Sequence, residues 1–217
     1  RVDRRQRQMC IRDRGTQLQD KGLPAGASPE LFMMEHGEII EEVHAAYIDS
    51  GSDIIYTNTF GANAKKLSKS QYTVEEVITR AVQLAKSAAK RRNGVQVALD
   101  IGPIGELLEP NGYLPFEEAY ELYRQQVVAG EQAGADLVIF ETMSDLYEVK
   151  AAILAAKEHT QLPVFVTMSF EADHRTFTGC TTASFALCAE GLGADAIGIN
   201  CSCLLYTSDA ADDLLCV

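Results

Sequence analysis

Gly193-Ala194-Asp195-Ala196-Ile197-Gly198-Ile199-Asn200-Cys201-Ser202 constrains this chain more than any other stretch, because it is the third copy of one phrase. Gly51-Ser52-Asp53-Ile54-Ile55-Tyr56-Thr57-Asn58 and Gly134-Ala135-Asp136-Leu137-Val138-Ile139-Phe140-Glu141 are the other two. In each copy a helical periodicity stops at glycine and a small residue and an aspartate make the turn. A short apolar run follows, and a polar side chain closes it. An uncharged apolar run of this kind reads as a strand buried on both faces, the pattern of a parallel sheet. Three such helix, turn and strand units define an α/β chain.

Two further runs, Val95 to Leu99 and Val164 to Met168, bring the expected strands to five beside Asp53 to Thr57, Leu137 to Phe140 and the run ahead of Asn200. Helices are expected from Pro29 to Ser50, from Val74 to Arg92, from Pro115 to Gly134, from a cap at Ser144 or Asp145 to His159, and from a cap at Thr181 or Thr182 to Gly193. Asp100-Ile101-Gly102-Pro103-Ile104-Gly105 lacks the Lys-Ser/Thr of a phosphate loop and the spacing of a dinucleotide fingerprint, so it reads as a structural turn.

Alternating strands and helices form either an open doubly wound sheet or a (β/α)8 TIM barrel. Polar residues follow nearly every strand here: Asn58, Asp100, Glu141, Ser169, Asn200 and Cys201. A barrel shares one site among all its strand ends, whereas an open sheet concentrates the site at one switch point. The expected fold is therefore a truncated barrel with strands 2 to 6 present, strand 1 damaged and strands 7 and 8 missing.

A net charge of −12 argues against a nucleic-acid surface, which needs a basic face, and favours an acidic enzyme of small molecules. No apolar run reaches membrane-spanning length and no signal peptide opens the chain, so a cytoplasmic protein without membrane contact is expected. The six cysteines form no regular framework and read as free thiols or metal ligands. Residues 1–14 hold six arginines and no periodicity. They read as a non-native leader or, less well against an acidic body, as a basic arm for nucleic acid. Residues 203–217 carry neither a crossing helix nor another strand phrase and read as a non-native tail, which leaves 15–202 as the partial barrel.

Gly-Thr-Gln-Leu-Gln (15–19), Thr-Asn-Thr-Phe-Gly-Ala-Asn (57–63), Ile-Gly-Pro-Ile-Gly (101–105), Leu-Leu-Glu-Pro (107–110), Glu-Thr-Met-Ser-Asp (141–145), Thr-Gly-Cys-Thr-Thr (178–182) and Gly-Ile-Asn-Cys-Ser (198–202) occur in that order. This series resembles the zinc-dependent homocysteine S-methyltransferase family, most of all the N-terminal homocysteine-binding module of cobalamin-dependent methionine synthases. The resemblance implies a barrel whose Zn2+ is held by one cysteine after strand six and an adjacent pair near strand eight. Cys201 matches the first, and no adjacent cysteines occur in this sequence. Glu141 matches the acid that binds the amino group of homocysteine. The family's Asp-Gly substrate contact falls on Ile11 and Arg12 and is absent.

A free thiol is only slightly ionised at neutral pH, and its thiolate is the nucleophile. Zinc removes the proton, and an open coordination position lets the bound sulfur attack a methyl group. The resemblance thus implies methyl transfer to homocysteine, giving methionine. The methyl donor is methylcobalamin presented by a cobalamin-binding module, or a sulfonium or betaine compound in a stand-alone relative. The alternative expectation is an inactive fragment of such an enzyme.

Asn58 and Ser169 stand at equivalent strand tips and are expected to line the substrate site beside Glu141. Asn200 reads either as orienting the Cys201 loop or as capping its strand. Cys180 and Cys188 read as packing residues, Cys203 as noise in the tail, and His36, His44, His159 and His174 lack metal-ligand spacing.

Overall fold

The structure, a computed structural model, describes residues 17–202. The leader at 1–14, the tail at 203–217 and Cys203 lie outside the described residues.

The repeated phrase has a repeated conformation. Gly51, Gly134 and Gly193 all adopt the left-handed backbone, with φ of 100°, 94° and 86°, where a side chain would be strained. The aspartate two residues on then ties neighbouring strands together. Asp136 accepts the Val97 N–H at 2.7 Å and pairs with Lys86 at 2.7 Å. Asp195 does the same with the Val164 N–H and Lys157, each at 2.7 Å. Asp53 pairs with Arg92 at 2.9 Å instead.

Among the described residues a helical stretch at 17–20 is followed by six helices and five strands: α1 (Pro29–Glu35), α2 (Gly37–Asp49), β1 (Ile54–Tyr56), α3 (Val74–Ala89), β2 (Gln96–Ile101), α4 (Phe116–Ala133), β3 (Leu137–Met143), α5 (Leu146–His159), β4 (Val164–Met168), α6 (Thr182–Gly191) and β5 (Ala196–Ile199). Side-chain caps fix the helix starts. Ser28, Asp145 and Thr181 accept first-turn N–H groups, and Thr73 forms a reciprocal capping box with Glu76.

The single helix expected from Pro29 to Ser50 is two. It breaks at His36, whose φ of −128° and ψ of 51° leave the helical region. Just after the break, Gly37 opens α2 in close approach to α3, where a Cβ would lie 2.5 Å from Arg80 Nη2 and 3.2 Å from Leu84 Cδ2.

All five strands are parallel and lie in the order β1-β2-β3-β4-β5. Right-handed crossovers that always step the same way place every helix on one face. Among the described residues the order does not reverse, as it does in a doubly wound sheet. Leu99, Val138, Phe140, Val164 and Val166 form the helix-side core with residues such as Tyr123, Val127 and Ile153. Tyr123 meets Phe140 edge to face at 5.6 Å. Each large side chain buried there contributes about 1.5–3 kcal/mol. On the other face Ala98, Leu137 and Ile139 are also buried, with Ile54, Tyr56 and Phe165 packed against them.

Strands β2 and β3 run past their expected ends at Leu99 and Phe140, and so enclose Asp100 and Glu141. These acids occupy alternate positions that a periodic reading takes as the end of an apolar run. The pairing of β3 with β4 shifts register between Phe140 and Met143. Among the described residues no helix is long and apolar enough to cross a membrane.

Candidate functional site

Cys201 lies two residues beyond the end of β5 and adopts a left-handed backbone with φ of 49°. Ser169, at the tip of β4, holds it there: Ser169 Oγ lies 3.0 Å from the carbonyl oxygens of both Asn200 and Cys201. The Phe170 N–H donates to Ser202 Oγ at 2.7 Å. The loops after β4 and β5 are thereby laced together, and the Cys201 sulfur lies 3.9 Å from Thr142 Oγ1 and 3.8 Å from Asn200 Nδ2.

Asn200 is the pivot. Its Oδ1 accepts the Thr142 N–H at 3.0 Å and the Thr167 hydroxyl at 2.9 Å, and its Nδ2 donates to Thr142 Oγ1 at 2.8 Å. Thr142 has φ of 60°, a strained conformation for a β-branched residue that persists only where its surroundings impose it. This is also where the register of β3 shifts. Glu141, 2% exposed, immediately precedes it. By alternation Glu141 shares the face of Leu137 and Ile139, opposite the helices.

Asn58 and its neighbours do different work. Asn58 is buried, and its Nδ2 donates to the Pro29 carbonyl at 2.7 Å, which fastens the tip of β1 to the start of α1. Glu30 strengthens the same join by accepting the Gly61 N–H and the Ser28 hydroxyl, each at 2.6 Å. Thr57, Thr59 and Asp100 close a buried ring of bonds. The Asp100 N–H donates to Thr57 Oγ1 at 3.0 Å, the two hydroxyls lie 2.6 Å apart, and Thr59 Oγ1 donates to the Asp100 carbonyl at 2.6 Å. At β2, a Cβ on Gly102 would meet the Phe60 ring at 2.4 Å, so the turn there needs glycine for a close approach.

Of the four residues singled out from the sequence, the fold joins Ser169 and Cys201 directly and Glu141 to both through Thr142 and Asn200. Asn58 lies at the same end of the sheet, with its amide engaged by α1. Thr142 and Thr167 escaped the sequence reading. The signal for Thr142 was present in Glu-Thr-Met, but its partner lies 58 residues away.

Further along the same rim an open cleft of about 420 Å3 is lined by Asp145, Tyr147, Lys150, Arg175, Thr178 and Cys180 among others, and by none of the four candidates. Burial pushes the Cys180 thiol above its ordinary value, which suits a packing role. Among the described residues no group of three His, Cys, Asp or Glu side chains could hold a metal ion. A catalytic zinc takes three protein ligands, so the described residues offer it one thiol and do not by themselves fit it.

A parallel sheet that gathers buried acids, hydroxyls and a thiol where its strands end is the build of an α/β enzyme. The homocysteine S-methyltransferase family model matches residues 13–214, and the chain belongs to that family. It is 29% identical over 207 residues to the methionine synthase of Mycobacterium leprae and 27% identical over 207 residues to that of Mycobacterium tuberculosis. Each alignment covers 87% of this chain and 17% of the relative, so the chain spans about a sixth of these proteins. The metallated form of the homocysteine methyltransferase MmuM from Escherichia coli superposes with a TM-score of 0.78 at 21% identity, covering 86% of this chain and 72% of that one. Its oxidised form gives 0.77 at 22% identity, covering 86% and 70%.

Proposed function

We propose that this chain binds homocysteine at the carboxyl ends of its strands, as part of a cytoplasmic methyltransferase that forms methionine. The observation that carries this reading is the coupling of Glu141 to Cys201 through one hydrogen-bonded frame. A carboxylate suited to an α-ammonium and a thiol suited to the sulfur end of the ligand lie on strands held in fixed relation. The sheet order supports reading the five strands as the second to sixth of a (β/α)8 barrel, which would place every strand end on one shared face.

In this reading Glu141 pairs with the ammonium group, Ser169 holds the backbone of the Cys201 loop, and Asn58 keeps the β1 tip closed over α1. The substrate thiol loses its proton, its sulfur forms a bond to the methyl carbon of the donor, and the donor keeps the electron pair of the bond that breaks. Cys201 would give zinc one thiolate ligand, and bound zinc supplies the Lewis acidity that ionises a thiol. The donor is methylcobalamin, delivered by a cobalamin-binding module, where the chain belongs to a methionine synthase.

Calorimetric titration of the full chain with L-homocysteine tests the reading. Glu141→Gln is expected to weaken binding about tenfold, the worth of a hydrogen bond to a charged group, with the thermal melt unchanged. Equal affinity of the two proteins for homocysteine would sink it. A second reading, binding without turnover, is favoured by the single candidate metal ligand among the described residues. Formation of methionine from methylcobalamin and homocysteine with added zinc separates the two.

A further inference from the structure

We propose that Asn200 is a positioning residue which sets the place of the Glu141 carboxylate relative to the Cys201 sulfur, and so matches the site to the distance between the amino group and the sulfur of homocysteine. This inference rests on the proposed function above.

The bland role for Asn200 is to cap β5, which needs one bond. Its amide makes three, to Thr142 and Thr167 on two other strands, and borders the Cys201 sulfur as well. Both halves of the amide act on Thr142: the oxygen takes its N–H and the nitrogen donates to its hydroxyl. Together they clamp a β-branched residue in the left-handed region. The backbone direction at Thr142 determines how Glu141 is presented, because the two share a peptide plane at a shift in strand register. Asn200 is also joined directly to Cys201, whose own left-handed backbone is held through Ser169. Ser169 therefore holds the sulfur end of the span, while Asn200 fixes the carboxylate end against it through Thr142.

The test compares affinities of the full chain for L-homocysteine and for 4-mercaptobutanoate, which keeps the thiol and carboxylate and lacks the amine. The unaltered protein is expected to prefer homocysteine about tenfold, and Glu141→Gln to abolish the preference. Asn200→Ala is expected to lower the preference about tenfold while the affinity for 4-mercaptobutanoate stays within about threefold, because a displaced carboxylate affects only the amine. Thr142→Val, which keeps the N–H and removes the hydroxyl, is expected to lower it about threefold. If Asn200→Ala does not fold, Thr142→Val decides.

Retained preference in the folded Asn200→Ala protein, beside a loss in Glu141→Gln, would overturn this inference and leave the proposed function standing. An equal fall for both ligands would also overturn it, since that marks general damage to the fold. No preference in the unaltered protein would overturn the proposed function and this inference with it.

Discussion

The carboxylate of Asp195 accepts the backbone N–H of Val164 at 2.7 Å, joining the start of β5 to the start of β4. Lys157 pairs with the same oxygen, and together they hold the Asp195 carboxyl below its ordinary value, Lys157 being the larger influence. A carboxyl with a lowered folded value lends stability in full above its unfolded pKa and loses it as pH falls through the folded one. Asp195→Ala is therefore expected to cost about 1 kcal/mol at neutral pH, allowing for partial exposure, and to cost progressively less in acid. Urea melts across the acid range check both points; a pH-independent deficit would contradict the assignment.

Glu148 behaves oppositely. It is buried in the first turn of α5, where its Oε1 accepts the Ile104 N–H at 2.7 Å and the Tyr123 hydroxyl at 2.8 Å. Burial pushes its carboxyl upward against those two bonds. A raised folded value means that stability is full below the unfolded pKa and is lost as pH rises through the folded one. Glu148→Gln keeps an oxygen for both donors, so it is expected to match or exceed the parent at neutral pH, with a lead that grows as pH rises. Glu148→Ala strands both donors and is expected to cost about 2–3 kcal/mol by denaturant titration.

Gly102→Ala addresses the join between the tips of β1 and β2. The added methyl group would overlap the Phe60 ring, and the Gly102 N–H donates to the Phe60 carbonyl at 3.0 Å, so neither partner withdraws freely. A loss of about 1–3 kcal/mol is expected, as for an overpacked site. Phe60→Leu in the same background should restore part of it, and a thermal melt of the double variant measures how much.

Ser169→Ala removes the hydroxyl that reaches the carbonyls of Asn200 and Cys201. A stability loss of about 1 kcal/mol is expected, with homocysteine affinity falling about threefold as the Cys201 loop relaxes. Calorimetry on the folded variant checks the second figure; unchanged affinity would mean that Ser169 only holds the loop.

The helix-turn-strand repeat was legible because its determinants are local. Glycine in left-handed backbone at 51, 134 and 193, aspartate two residues later, and caps at Asp145 and Thr181 all act within a few residues of where they stand. The break at His36 was not legible, because the apolar spacing runs on through it and the close packing of Gly37 on α3 appears only in the fold. Nor were the ends of β2 and β3: Asp100 and Glu141 look like terminators in one dimension, but Asp100 is paired in the ladder and Glu141 lies inside β3 at its shift in register. Local motifs singled out Glu141, Ser169 and Cys201, and the fold joins these three in one framework. The work of Asn200 could not be read, since Thr142 and Thr167 reach it only across folded strands.

The aspartate clasps also bear on how the chain acquires its shape. Asp136 reaches back 39 residues to Val97 and Asp195 reaches back 31 to Val164, so each clasp closes on the unit made just before it. No clasp waits for the far end of the polypeptide. A sheet fastened this way can be zipped up in the direction of synthesis, each new strand locking as it leaves the ribosome, and the slow closure of distant ends is spared until the site itself is assembled.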